Sequence, residues 1–391
     1  LKNLIVPNIL FEELGLSYFG PVDGHNLREL EMLLSKIMKI KGAKILHIIT
    51  EKGRGYRPAE EKPTLFHGLG PFEKESGVPL RKDGNKKYSK VFGETIVEEA
   101  RNNNDIIAIT AAMTKGTGLT EFSEEFPERL FDVGIAEQHA VTFAGGLAAG
   151  GKRPVCAIYS TFLQRAFDQI IHDIALQRLP VIFCLDRAGL VGADGPTHHG
   201  AFDLSYLRMI PDIIIMVPRD EVELKRMFKT ALSYRDGPAV IRYPRGESEG
   251  VPVPDIIDEI EISRAEVIKE GEDVVILAVG PLVYRMEELS GEIERFNPTI
   301  VDAKFVKPLD KGIIAELSED NDKFITVEDN TLAGGFGSAV LEYFSDMRLQ
   351  KDVLRIGIPD RFIPHGSKDR LFETIGLDGE KLKERIRDFI K

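Results

Sequence analysis

The run Phe131-Asp132-Val133-Gly134-Ile135-Ala136-Glu137-Gln138-His139-Ala140 sets one carboxylate, Glu137, between an apolar strand-like stretch and a helix of small residues. Ala and Gly dominate the stretch from Ala140 to Gly150, so a backbone or a flat ring could approach it closely. A lone Glu at a helix start is commonly just a partner of the helix dipole. Three further clusters, each placed directly after an apolar run, point to chemistry instead. Tyr159-Ser160-Thr161-Phe162-Leu163-Gln164-Arg165 brings two aromatic rings and a cation to one turn. That set suits stacking and anion pairing, although taken alone such rings are more often core. The stretch Asp186 to Gly200 carries His198, His199, Asp194 and four glycines, and loops of this richness are usually functional. No Cys or third His stands near the two histidines, so proton transfer or substrate hydrogen bonding suits them better than zinc. Arg187, and Arg245 in Arg242-Tyr243-Pro244-Arg245-Gly246, each follow an apolar run and could converge on a phosphate through forked hydrogen bonds.

These residues need a scaffold that brings strand ends together. A strand at Ser17 to Val22, a helix capped by Asn26 and running to about Ile40, and a buried strand at Lys44 to Thr50 form one βαβ unit over residues 1–60. A polar linker over 61–88 follows, marked by Lys62-Pro63, Gly70-Pro71 and Arg81-Lys82-Asp83-Gly84. Helices and strands then alternate across 89–246, with a helix from Val91 to Asn102, a strand at Ile106 to Thr110, the Glu137 unit, and a strand at Val155 to Tyr159. The rhythm continues with a helix from Phe162 to Arg178 and strands at Pro180 to Leu185, Ile213 to Val217 and Ala239 to Tyr243. A second linker at 247–261 precedes a further α/β region, 262–391, with strands at Val274 to Val279, Thr299 to Asp302, Phe324 to Glu328 and Val353 to Ile358. Such alternation predicts parallel sheets covered on both faces, with ligands beyond the carboxyl ends of the strands. Gly335-Phe336-Gly337 fails as a dinucleotide fingerprint, because Val340 stands where the third glycine belongs; close helix packing is expected there. Gly53-Arg54-Gly55-Tyr56 is by itself a weak signal, more often a turn than a site.

At 391 residues the chain exceeds a single ordinary core, and a buried site is feasible. With 51 Lys and Arg against 63 Asp and Glu, the net charge of −12 argues against a general nucleic-acid surface while leaving room for local arginine pockets. No apolar run is long enough to span a bilayer, so no membrane association is expected. Cys156 and Cys184 lie in apolar strand-like runs and read as small hydrophobes in a reducing, cytoplasmic setting.

In their order along the chain, Ile135-Ala136-Glu137-Gln138-His139-Ala140, the Tyr159 to Arg165 turn, Asp186-Arg187-Ala188-Gly189, Gly192-Ala193-Asp194-Gly195-Pro196-Thr197-His198 and Arg242 to Gly246 resemble the thiamine-diphosphate enzymes of the transketolase type. The match extends over the whole chain. It is specific to members that condense pyruvate with D-glyceraldehyde 3-phosphate, with loss of carbon dioxide, to 1-deoxy-D-xylulose 5-phosphate. The resemblance implies parallel-sheet transketolase-like domains, a pyrimidine-binding domain at 89–246 and a transketolase-type C-terminal domain at 262–391. It implies a homodimer and, for residues 1–60, the tail of a diphosphate-binding domain. It also implies that Glu137 hydrogen-bonds the cofactor's pyrimidine N1′, that Phe162 stacks on the pyrimidine, and that Tyr56 and Arg165 contact the cofactor. Arg187 and Arg245 would hold the triose phosphate, with Tyr159, Asp194 and His198 around the reacting carbons, His198 and Glu137 being the catalytic pair. Family members hold Mg²⁺ with a Gly-Asp-Gly motif and a later Asn. Neither Val22-Asp23-Gly24 nor Lys82-Asp83-Gly84 reproduces that arrangement, so no metal ligand is assigned in this chain and an additional segment or second chain is expected to supply it. Another transketolase-like enzyme, the β-subunit of a 2-oxo acid dehydrogenase and a non-catalytic relative are the alternatives. Residues 1–56 count against the β-subunit, and joint retention of Glu137, Arg187, His198 and Arg245 counts against a scaffold.

Overall fold

The computed structural model describes residues 9–80 and 84–391, which divide into the units Leu1–Asp83 and Gly84–Lys391. The linker residues Arg81, Lys82 and Asp83 lie outside the described ones. In the first unit, strands β1 (Ser17–Asp23) and β2 (Lys44–Ile49) pair in parallel across the helix Leu27–Ile37. Asn26 caps that helix by accepting from the Glu29 amide at 3.2 Å, as its position before an apolar-periodic run predicts. The helix stops at Ile37, short of the expected Ile40. The expectation of a buried strand at 44–50 is corrected: Ile48 and Ile49 are 41% and 54% exposed, because this sheet has two strands rather than the several that would bury both faces. Beyond β2 the chain forms the short helix Arg57–Glu61 and a cluster of Tyr56, Phe66 and Phe72 with ring centroids 5.2–5.9 Å apart.

In the second unit the first sheet collects β3 (Ile106–Thr110), β4 (Leu130–Asp132), β5 (Arg153–Tyr159), β6 (Ile182–Ala188), β7 (Ile214–Met216) and β8 (Ala239–Pro244). The second collects β9 (Glu266–Lys269), β10 (Val275–Ala278), β11 (Thr299–Asp302), β13 (Lys323–Thr331) and β14 (Asp352–Ile358), whereas β12 (Phe305–Lys307) crosses back to the first. The resulting orders are β12-β7-β8-β6-β5-β3-β4 and β14-β13-β10-β11-β9, parallel except for the edge strands β12 and β9. Continuous apolar runs make the central strands, and alternate residues serve opposite faces. Cys156, Ile158, Phe183 and Leu185 enter one core cluster, while Val155, Ala157, Ile182 and Cys184 enter the other. The two free, buried thiols therefore sit on opposite faces of neighbouring strands. The first of those clusters also holds Val275, Leu277, Val301 and Phe336, so the two sheets share a core.

Two further expectations change. Tyr88, placed in the linker, is the buried first residue of the helix Tyr88–Asn102. The single helix expected from Phe162 to Arg178 is a chain of short turns, Ser160–Leu163, Gln164–Ala166 and Phe167–Gln169, ending in a π-helical stretch Ile170–Ala175. Wide π turns of this kind occur often beside functional sites. At Gly335 and Gly337 the expected close packing is present, and Glu328 occupies the helix start by accepting from the amides of Phe336 at 2.8 Å and Gly337 at 2.9 Å. An internal carboxylate thus fills the anion-binding end of that helix. No helix among the described residues is long and apolar enough to cross a membrane.

Candidate active site

Glu137 is the first residue of the helix Glu137–Ala149 and is 2% exposed. The turn that delivers it is fixed by Asp132, whose Oδ1 accepts from the amides of Ala112 at 2.7 Å and Gly134 at 3.0 Å, and whose Oδ2 accepts from Thr114 Oγ1 at 3.1 Å. Gly134 turns there with φ of 71°, a conformation that favours glycine. Arg165 Nη1 donates to both Glu137 oxygens, at 3.3 and 3.2 Å, while half of the arginine side chain faces solvent. A buried carboxylate whose side-chain partner is one half-exposed cation retains acceptor capacity for a ring nitrogen.

Tyr159, at the end of β5, stacks on Phe162 with centroids 5.8 Å apart, and Phe162 meets the His198 ring edge-on at 5.5 Å. The Arg187 guanidinium lies 3.9 Å from the Tyr159 centroid, a cation–π contact, and Arg165 lies 5.7 Å from that of Phe162. Burial pushes the Tyr159 hydroxyl's pKa up, with Arg187 opposing the shift. Arg187 itself, near the end of β6, adopts a left-handed backbone, φ 62°, strain that persists only where the surroundings enforce it. Arg187 and Arg245 do converge, and the group between them is Asp194: Arg187 Nη1 donates to Asp194 Oδ2 at 3.3 Å, and Arg245 Nη1 donates to the same oxygen. In this structure Asp194 therefore stands on the two arginines expected to take a phosphate.

The two histidines separate in role. His198 is half-buried beside Phe162, with Thr197 Oγ1 2.9 Å from its Nδ1. His199 is 4% exposed, accepts from the Val191 amide at 3.1 Å, and has Nε2 3.3 Å from the Pro364 carbonyl. Burial lowers its pKa, and this neutral, doubly bonded ring is a structural latch, which corrects the expectation that both histidines serve proton transfer or substrate binding. Tyr56, in the first unit, donates its hydroxyl to the Lys74 carbonyl at 2.7 Å. Among the described residues no group of three or more His, Cys, Asp and Glu forms a metal cage.

Motif reading gave no role to Asp186 and Arg242, which it quoted, and did not single out Asp203 and Asp329. Asp186 lies buried within β6, its Oδ2 unpartnered, and burial raises its carboxyl to about 7. A charge inside an apolar strand, as at Arg242 in Ala-Val-Ile-Arg-Tyr, was the available signal, since a buried charge must find partners.

Parallel strands that end in a buried Glu, an aromatic turn and paired arginines define a transketolase-like α/β protein. Family comparison agrees, matching "Transketolase, pyrimidine binding domain" at residues 85–249, "Transketolase, C-terminal domain" at 263–382 and "1-deoxy-D-xylulose-5-phosphate synthase" at 1–50. The curated protein called 1-deoxy-D-xylulose-5-phosphate synthase from Aquifex aeolicus (strain VF5) is 51% identical over 100% of this chain and 62% of its own length. The one so called from Syntrophomonas wolfei is 52% identical over 99% of this chain and 60% of its own. A solved split-gene transketolase, described as an inactive β4 tetramer, superposes with TM-score 0.69 at 30% identity, covering 78% of this chain and 99% of that one. A Pichia stipitis transketolase in complex with sedoheptulose 7-phosphate shares the fold, with TM-score 0.63 at 17% identity over 79% of this chain and 46% of its own. The chain belongs to the transketolase-type family and, within it, to the lineage of the 1-deoxy-D-xylulose-5-phosphate synthases. It spans 62% of the length of the Aquifex relative.

Proposed function

We propose that this chain is the pyrimidine-binding and C-terminal part of an enzyme that condenses pyruvate with D-glyceraldehyde 3-phosphate, releasing carbon dioxide, to give 1-deoxy-D-xylulose 5-phosphate. The observation that carries the reading is the buried Glu137 at a helix start, linked through the Tyr159–Arg165 turn to a pair of arginines whose shared partner, Asp194, can be exchanged for a phosphate. Glu137 and Phe162 fit the aminopyrimidine half of thiamine diphosphate, one as a hydrogen-bond partner and the other as a stacking ring. When bound, the cofactor supplies the carbon nucleophile and electron sink for decarboxylation. Glu137 holds a proton at the pyrimidine nitrogen, with Arg165 keeping the carboxylate oriented. Arg187 and Arg245 bind the triose phosphate, and His198 and Tyr159 line the reacting carbons. Mg²⁺ and the diphosphate are held by the part of the relatives that this chain does not span. The uncovered face bearing Phe131 and Ile135, 39% and 78% exposed, is where a second copy docks, and the two buried thiols suit a cytoplasmic enzyme.

The test joins this chain to the diphosphate-binding part of the Aquifex relative, adds Mg²⁺ and thiamine diphosphate, and follows pentulose formation from pyruvate and the triose phosphate. Pentulose is expected from a preparation that sediments as a dimer; Glu137→Ala should lose roughly a hundredfold or more of the turnover with its circular dichroism unchanged. Absence of product refutes the reading, turnover of a ketose phosphate donor in place of pyruvate moves it to transketolase, and a monomeric active species removes the docking assignment.

A further inference from the structure

The loop carrying Asp194 and His198 closes on a neck in which Gly189 and Gly200 exchange two backbone hydrogen bonds, each 2.8 Å. Below the neck lies a chain of buried charges. Arg242, 1% exposed, donates from Nε to Asp203 Oδ2 at 2.9 Å, from Nη1 to Asp329 Oδ1, and from Nη2 to the Gly200 carbonyl at 3.4 Å. Asp203 Oδ2 also accepts at 2.9 Å from Ser160 Oγ, which opens the aromatic turn after Tyr159. Asp329 comes from β13 in the second sheet, and a Cβ on Gly189 would overlap its Oδ2. The second sheet's region touches the loop again higher up. His199 reaches the Pro364 carbonyl, the Gly366 amide donates to the Gly192 carbonyl at 3.4 Å, and a Cβ on Gly195 would lie 3.1 Å from His365 Cβ.

We propose that Asp329 is a positioning residue: through Arg242 and the close fit against Gly189 it sets the neck of the 190–199 loop, and so the placement of Asp194 and His198 over the aromatic turn. The C-terminal region, which contributes no side chain to the paired arginines or to Glu137, then acts on the reaction by holding that loop. The argument is one of connectivity. Asp329 and Ser160 grip the guanidinium and Asp203 from two sides, and both neck glycines are pressed against members of that set, Gly200 against Ser160 Oγ. An acid at position 329 that served stability alone would need neither the contact with Gly189 nor a partner that also holds the Gly200 carbonyl.

The kinetic half of the test rests on the condensation proposed above, and the exchange half does not. Asp329→Asn keeps the shape and one acceptor while removing the charge; Asp329→Ala removes both and serves as the stronger variant. In the holoenzyme, amide exchange at Gly189, Val191, His199 and Gly200 should quicken roughly tenfold in Asp329→Asn, while amides of β10 and β11 stay unchanged. The triose-phosphate KM should rise by a similar factor, with the pyruvate KM within about twofold of the parent. Loop exchange that is unaltered, or that quickens equally across the whole second sheet, overturns the proposal, as does an equal rise in both KM values. A parent enzyme that makes no pentulose sinks the condensation reading and leaves the exchange comparison to decide this one.

Discussion

Arg242 lies within β8 and Arg245 directly follows its end, yet of the two only Arg245 keeps its guanidinium within reach of solvent, with 40% of its side chain exposed against 1%. An exposed cation with one exchangeable carboxylate partner can trade that partner for a ligand; a buried one between two carboxylates is structural. Replacing Arg245 by Ala should therefore remove one charge-assisted contact, about 1.5–3 kcal/mol, and raise the triose-phosphate KM by roughly tenfold or more with little change in kcat. Steady-state kinetics with each substrate varied in turn checks this, and an unaltered KM contradicts the phosphate role. Asp186 allows a second prediction. Its folded carboxyl titrates at about 7 because burial disfavours the anion, whereas the unfolded chain ionises it near the ordinary value of 3.8. Between those values the folded state holds a proton that the unfolded state has released, so this group's contribution to stability falls as pH rises across the window. Asp186→Asn cannot ionise. Its stability relative to the parent should climb between pH 5 and pH 7.5, by on the order of a few kcal/mol, and then level off. Urea unfolding at the two pH values measures the gap, and a gap that does not change with pH refutes the assignment.

Elements differ in how much of them local sequence specifies. The strands Ile106–Thr110 and Thr299–Asp302 fall where their apolar runs place them, since a strand buried on both faces writes itself as a continuous hydrophobic stretch. The stretch after Tyr159 reads as one helix because helical periodicity persists through it, whereas its π turn depends on partners far away. Thr142 Oγ1 donates to Asp173 Oδ2 at 2.5 Å, and a Cβ on Gly145 would sit 2.9 Å from Ile174 Cδ1, so the facing helix shapes this one. The edge strands β9 and β12 have four and three residues and leave no periodic trace. The site shows the same division. Glu137, Tyr159, Phe162, Arg187, Asp194 and Arg245 sit in runs whose residue types announce them. Asp203 and Asp329 become recognisable only once folding brings them to Arg242 across sequence separations of 39 and 87.

At the scale of the whole chain, the boundary between the pyrimidine-binding and C-terminal regions is a boundary of sequence more than of packing. Strand β12 leaves the C-terminal region to pair antiparallel with β7, and its Phe305 is fully buried in the core cluster that also holds Phe92 and Phe228. The other core is shared outright, with Val275 and Leu277 in the cluster that contains Ile158 and Leu185. Residues 84–262 expressed alone would lose Phe305, worth roughly 1.5–3 kcal/mol of burial. They would also leave Arg242 with one of its two carboxylates, a loss of up to about 3–5 kcal/mol where a buried pair is broken. Against a typical domain stability of about 5–15 kcal/mol, those two terms remove most or all of it at the lower end of that range, before the loss of the shared core is counted. Residues 84–262 should accordingly show no cooperative thermal transition, while 84–391 unfolds in one step. Adding residues 263–391 as a separate chain should restore the transition, because what is missing is a strand and a counter-charge rather than a covalent link. Differential scanning calorimetry of the three preparations decides the matter, and a cooperative transition in 84–262 at the midpoint of 84–391 would show that the pyrimidine-binding region stands without its neighbour.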